Sequence, residues 1–207
     1  MVDLYRPRSD GYVIWNGTAP ANKPAPAKDD FILAAGRMWD AAKNLSQLKL
    51  AANGLDWPIL VAGPAGDTQD CDPAIQLLGQ VRHAELHRMM RRAAIFVSPA
   101  LYEPFGLSVL EAAAAGCALV LSDIASFREL WDEAALFVDP TDAEALRRSL
   151  YGLSTDPSKR AALQQAALAR SRTYAVRRMV DHYVALYQGL LGPAPNAILT
   201  PALEVSL

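Results

Sequence analysis

Short runs of consecutive apolar residues alternate with amphipathic stretches along most of the chain. The apolar runs are residues 31–35 (FILAA), 58–62 (PILVA), 75–78 (IQLL, interrupted by Gln76), 94–97 (AIFV), 118–121 (ALVL) and 136–138 (LFV), and each is followed directly by Gly, Ser or Asp. Residues 43–53, 84–93, 107–115, 126–132, 143–153, 158–172 and 176–191 carry apolar positions at helical spacing. In the first of these, Leu45, Leu48 and Ala52 share one face and Gly54 is the stop. Unbroken apolar strands separated by amphipathic helices predict an α/β fold. It is a doubly wound, mainly parallel, Rossmann-like sheet with helices on both faces. Ligands of such sheets bind beyond the carboxyl ends of the strands, so the residues just after each strand are the candidates for chemistry.

The pattern also divides the chain. Residues 1–30 are irregular and contain Pro7, Pro20, Pro24 and Pro26. Within them, residues 12–15 (YVIW) predict a short strand closed by the turn Asn16-Gly17, and residues 19–30 an extended, solvated linker. Residues 31–191 predict the α/β domain, and residues 192–207, with three prolines, a loose tail.

Composition narrows the partners. The chain has 207 residues, 52% of them hydrophobic, which is enough for a sizeable core. Lys plus Arg is 20 against 22 Asp plus Glu, so no basic excess exists for a nucleic-acid backbone. Two cysteines, Cys71 and Cys117, exclude a disulfide-dense scaffold and a four-cysteine zinc site. The first ten residues are charged and contain proline, unlike a secretory signal, and the longest apolar run, 112–121, is about half of what a bilayer needs. The expectation is a cytoplasmic protein.

Three strand ends carry candidate chemistry. After the first strand, Gly36 permits a tight turn, and Arg37 and Lys43 bring two cations to the mouth of the sheet. Two cations there suit a diphosphate; a solvated basic pair is the other reading. After the second strand, Gly63-Pro64-Ala65-Gly66 is a glycine-bearing loop without the Gly-Lys-Ser/Thr of a P-loop. After the fourth strand, Glu103-Pro104-Phe105-Gly106-Leu107-Ser108 leads into a helix that carries Glu111, with seven residues between the two glutamates. Eight residue steps span at most ~12 Å along a helix axis. Paired glycosidase carboxylates are closer, roughly 5–9.5 Å apart. The spacing instead suits two carboxylates that grip hydroxyls at the two ends of a long ligand, with phosphates at the helix N-terminus between them. On the residues alone, a first-turn acid followed by an ordinary surface glutamate remains open.

Glu103 to Glu111 resembles the E-x7-E element of retaining GT-B glycosyltransferases, the group 1 or family 4 enzymes. Other segments match in order: Val13-Ile14-Trp15-Asn16-Gly17 resembles "VIPNG", Gly36-Arg37…Lys43 "GR…K", Leu60-Val61-Ala62-Gly63 "LVIVG", and Leu78-Gly79-Gln80-Val81 "FLGxV". Ser98-Pro99…Glu111-Ala112 resembles "PSxxEGFGLxxLEA", and residues 116–123 resemble "GxPVVASD". The resemblance implies the donor-binding, C-terminal domain of such an enzyme, which moves a sugar from a nucleotide diphosphate sugar to an acceptor hydroxyl with retention. It implies that Arg37 and Lys43 hold the diphosphate and that Glu111 binds the ribose hydroxyls. Glu103, with the backbone of Phe105 and Gly106, would orient the sugar. Leu107 and Ser108 would present N–H groups to phosphate, Gly36 would belong to the donor-binding set at its tight turn, and Val81 would lie near the base. No cofactor or metal is expected. Two departures stand out: Ile124-Ala125-Ser126 replaces the family's frequent Gly-Gly, and the Arg-to-Lys gap is one residue longer than the common form.

The family's acceptor domain would have to come from elsewhere, as a missing N-terminal domain or a partner chain. The helix 176–191 would pack toward it and expose apolar positions here. Two alternatives stand beside the enzyme: a nucleotide-sugar-binding module inactive on its own, and a doubly wound domain whose matches serve packing alone. Among the remaining features, Asp70-Cys71-Asp72 is an isolated D-x-D in a polar loop. His83, Glu85 and His87 share one helix, with the histidines four apart. They supply two metal ligands where a site takes three or four, and read as a solvated face. Arg88, Arg91 and Arg92 also read as a solvated face, with a weak peripheral membrane contact as the alternative. Cys117 reads as a buried spectator.

Overall fold

The computed structural model describes residues 11–19, 26–64 and 74–192. Asp70-Cys71-Asp72 and residues 65–66 of the glycine-bearing loop lie outside them. Six strands, β1 (Asp29–Ala35), β2 (Ile59–Ala62), β3 (Ile75–Gly79), β4 (Ala93–Ser98), β5 (Ala118–Ser122) and β6 (Leu136–Val138), form one sheet in the order β3-β2-β1-β4-β5-β6. All five pairings are parallel. Among the described residues seven α-helices connect and cover them: α1 (Leu45–Ala52), α2 (His83–Arg92), α3 (Leu107–Ala114), α4 (Ala125–Trp131), α5 (Ala143–Thr155), α6 (Pro157–Ser171) and α7 (Val176–Leu191). This is the doubly wound fold that the apolar pattern predicts. The order reverses between β1 and β4, where the following loops diverge and open a crevice.

Strand periodicity sorts the core into two layers. Leu33, Phe96, Leu119 and Leu121 face a layer that buries Met90 of α2, Leu110 of α3, Phe127 and Trp131 of α4, and Ala167 of α6. Ile32, Ile95, Val97 and Val120 face the other layer, with Leu48 of α1 and Leu146 and Leu150 of α5. Such strands have no solvent face, which is why they read as unbroken apolar runs.

Three expectations change. The predicted helix over 43–53 is broken: Ala41–Lys43 is a 3-10 turn, Asn44 is left-handed at φ 58°, and only then does α1 begin. The break serves tertiary contacts. The buried Asn44 donates from Nδ2 to the carbonyls of Pro99 (2.9 Å) and Pro140 (2.8 Å), which ties together the loops after β1, β4 and β6. Residues 12–15 form no strand; the segment makes one isolated bridge, Thr18 with Ala175, at the entry to α7. There Thr18 donates to Tyr174 O and accepts from Val176 N, both at 3.0 Å, so its backbone groups are satisfied by a helix entry instead of a sheet edge. Within the predicted linker, Pro26, Ala27 and Asp30 are exposed, but one side chain turns inward. Lys28 is partly buried, and its ammonium donates to Met90 O (3.1 Å) and Ala115 O (2.8 Å) at two helix ends. Burial pulls its pKa down.

Cys117 is fully buried and its thiol donates to Met90 O at 3.0 Å; burial pushes its pKa up to about 11, as suits a packing residue. Helix α7 exposes Val180, Tyr183, Val184, Tyr187, Leu190 and Leu191, the apolar positions expected to lack cover. Among the described residues no helix is long and apolar enough to cross a membrane.

Candidate functional site

The crevice between the β1 and β4 ends holds a cleft of about 310 Å³, lined by Asn16, Gly36, Arg37, Lys43 and residues 103–108. Eight of the ten residues singled out in the sequence therefore meet at one place: Gly36, Arg37, Lys43, Glu103, Phe105, Gly106, Leu107 and Ser108. A larger cleft, about 520 Å³, lies at the opposite sheet end, against Pro58 and Ile75, and contains none of them.

Each wall has a local cause. The 3-10 turn after β1 is capped by Asp40, whose carboxylate accepts from Ala42 N at 2.9 Å. This turn points Lys43 across the crevice. Lys43 Nζ meets Glu103 Oε2 at 2.5 Å, with both side chains mostly buried, 20% and 15% exposed. The other Glu103 oxygen accepts from Gly106 N at 3.0 Å. A lysine ammonium has three donors, so two remain for a ligand. Arg37 is 67% exposed; it sits 3.6 Å from Asp40 and over the Trp39 ring. It stands at the mouth, and Lys43 at the floor.

Helix α3 begins at Gly106, which is left-handed at φ 81° and caps the helix without a side chain. An added Cβ there would meet Phe127 Cε1 at 3.0 Å and Val109 Cγ2 at 3.2 Å, so glycine is needed for space as well as conformation. The Gly106 N–H is taken by Glu103, and among the described residues no side chain caps the N–H groups that follow at Leu107 and Ser108. An open helix N-terminus, one ammonium and one guanidinium converge on the cleft. That field favours an anion with several oxygens.

Two predicted residues stand apart. Glu111 does not line the cleft; it lies three and four residues beyond Ser108 and Leu107, on the same side of α3. Its Oε2 is 4.0 Å from His87 Nε2 of α2. Val81 is also outside the cleft, half-buried against the core layer that contains Phe96 and Leu110.

The structure also adds three residues. Asn16 lines the cleft, held there by the Thr18 clamp and by Trp15 packing against Phe105 and Tyr174, each 6.4 Å away between ring centroids. Gly17 makes this approach possible, since a Cβ would lie 2.6 Å from Val176 Cα. Ser126, in the stretch that departs from Gly-Gly, donates to Glu103 O at 2.6 Å and holds the loop that carries Glu103. His87 is the third, and its partner Glu111 is one that helical spacing within α2 cannot reveal. Asp123, after β5, is held by Arg128 at 2.6 and 2.7 Å, and these hydrogen bonds keep its carboxyl below the usual range. Arg92 pairs with Asp29 at 2.6 Å.

Comparison with known proteins places the fold and the family. The family model for glycosyl transferases group 1 matches residues 17–170. A phosphatidyl-myo-inositol mannosyltransferase of Mycolicibacterium smegmatis is 31% identical over 187 residues, covering 80% of this chain and 48% of that protein. A glycogen synthase of Mycobacterium tuberculosis is 38% identical over 101 residues, covering 48% of this chain and 24% of that protein. Among solved structures, sucrose-phosphate synthase from Thermosynechococcus elongatus superposes with a TM-score of 0.77 at 24% identity, covering 93% of this chain and 56% of that one. Anabaena HepE in complex with UDP-glucose gives a TM-score of 0.67 at 16% identity, covering 78% and 49%. The chain spans about half the length of the mannosyltransferase and of both structures. With a six-stranded Rossmann-like sheet and a family match over most of its residues, the chain belongs to the glycosyl transferases group 1 family, in the GT-B class.

Proposed function

We propose that this chain is the donor-binding half of a retaining glycosyltransferase that takes a sugar from a nucleotide diphosphate sugar. The observation that carries the reading is the convergence of Lys43, Arg37 and the uncapped start of α3 on one cleft at the sheet's switch point. A departing diphosphate accumulates negative charge as the glycosidic bond breaks. Fixed cations and N–H dipoles stabilise that charge with little reorganisation, and no metal ion is required for it. Glu103, fixed by Lys43, Gly106 N and Ser126, presents its carboxylate and loop backbone to the donor sugar. Glu111 accepts from the ribose hydroxyls, and Val81 faces the base. Relatives named as mannosyltransferases and glycogen synthases, and a structural neighbour holding UDP-glucose, support a sugar nucleotide as the ligand.

The exposed apolar face of α7 favours a second reading, in which this domain binds the donor but transfers only together with an acceptor domain packed against it. Binding without transfer by the isolated chain supports it; transfer by the chain alone excludes it. Substituting Glu111→Ala tests the site in either case. Loss of hydrogen bonds to a carboxylate costs about 1.5–3 kcal/mol, so the affinity for the bound nucleotide is expected to fall about 10- to 100-fold by calorimetry. Unchanged affinity removes Glu111 from the ribose site.

A further inference from the structure

Helix α2 presents His83 and His87 four residues apart, on one face. Their rings are 4.7 Å apart between centroids, at 64°. Glu111 of the neighbouring α3 comes to the same point, and one ligand atom from each of the three residues lies within 4.8 Å of the others. In the sequence the histidines look like two ligands without a third; packing of α2 against α3 supplies it. Ligands of a tetrahedral zinc ion held at 2.0–2.1 Å are about 3.4 Å from one another. The three groups need to close by up to about 1.4 Å, which side-chain torsions of partly exposed residues supply. His87 is 41% and Glu111 20% exposed, so a captured ion keeps open positions for water.

We propose that His83, His87 and Glu111 form a binding site for a divalent transition metal, of the zinc, cobalt or nickel type. Two imidazoles and one carboxylate are a donor set that selects such ions over magnesium. The site shares Glu111 with the proposed ribose contact, and this second part rests on the donor-binding reading. Binding to the ion takes up one carboxylate oxygen, holds the side chain toward α2 and draws off charge, which weakens its hydrogen bonds to sugar hydroxyls. Metal and nucleotide therefore compete, and the ion acts as an inhibitor while catalysis needs none.

The test titrates the intact chain with Co2+ and follows its visible d–d absorption, with Zn2+ as displacing ion. One equivalent of Co2+ is expected to bind. His83→Ala and His87→Ala, both exposed or half-exposed substitutions, are expected to weaken binding by more than about 100-fold, and His182→Ala, on α7, leaves it unchanged. Absence of the band, or equal binding by the two helix variants, overturns the site. Affinity for UDP, GDP or ADP is then measured with and without Zn2+. A larger loss in the wild type than in His83→Ala supports competition, because the variant reports the loss due to zinc–diphosphate complexes in solution. Equal losses overturn competition and leave the metal site. If no nucleotide binds even without metal, the donor-binding reading fails, and the metal site is judged on cobalt alone.

Discussion

Lys43→Ala is expected to weaken nucleoside diphosphate binding by about 10- to 100-fold, the loss of one charge-assisted hydrogen bond worth about 1.5–3 kcal/mol. The effect is large because the ammonium is only 20% exposed and sits on the cleft floor. Charges there are screened less than at the surface. The same substitution on the solvated Arg37, 67% exposed, is expected to cost less. The loss at Lys43 must track phosphate: affinity for the nucleoside alone stays unchanged. Calorimetry of wild type and variant against the diphosphate and the nucleoside checks both. Equal losses for the two ligands show a distorted cleft, and the diphosphate assignment then fails. Lys43→Arg is not expected to restore full affinity, because a planar fork cannot reproduce the compact contact with Glu103.

Gly63→Ala is expected to be among the most damaging single changes to the fold. Gly63 follows β2 with φ 129°, and an alanine Cβ would lie 1.8 Å from Gly36 O, which follows β1. The neighbour is backbone, so no side chain can swing aside. The two glycines cross where the strand ends are knitted together: Gly36 N donates to Ala62 O at 3.0 Å, and Gly63 N to Gly79 O at 2.7 Å. Relieving the clash pulls these bonds apart and moves the turn that carries Arg37 and Lys43. A cost of about 4 kcal/mol or more places it among the exceptional substitutions. For a domain of this size that is a fall in Tm of about 8–16 °C. Thermal unfolding by circular dichroism measures it; a fall of under about 2 °C contradicts the close crossing. By contrast, Gly54→Ala meets nothing within 4 Å at φ 77° and pays only for its backbone conformation.

The sheet was legible because parallel strands buried on both faces leave unbroken apolar runs, and each such run is a strand within two residues of its expected bounds. The cleft was legible because the fold rule points to strand ends, and Lys43, Glu103 and Gly106 all follow strands at the switch point. What the sequence hid was set by long-range contacts. Asn44 breaks a well-patterned helix because two carbonyls, 55 and 96 residues away, accept its amide. The strand-like pattern of residues 12–15 found aromatic partners on Phe105 and Tyr174 in place of a sheet edge. The pairing of His87 with Glu111 joins two helices, so neither helix alone carries its signal. Ser126 illustrates the same limit at a departure from the family pattern. Its hydroxyl, absent from Gly-Gly, supports the Glu103 loop.

On the donor-binding proposal, the cleft between the β1 and β4 ends holds a nucleotide diphosphate. Titration of the intact chain with UDP, GDP and ADP by calorimetry tests it most directly. Saturable binding of one of the three at one site per chain, lowered about 10- to 100-fold by Lys43→Ala, is the predicted result. Heats no larger than dilution for all three contradict it.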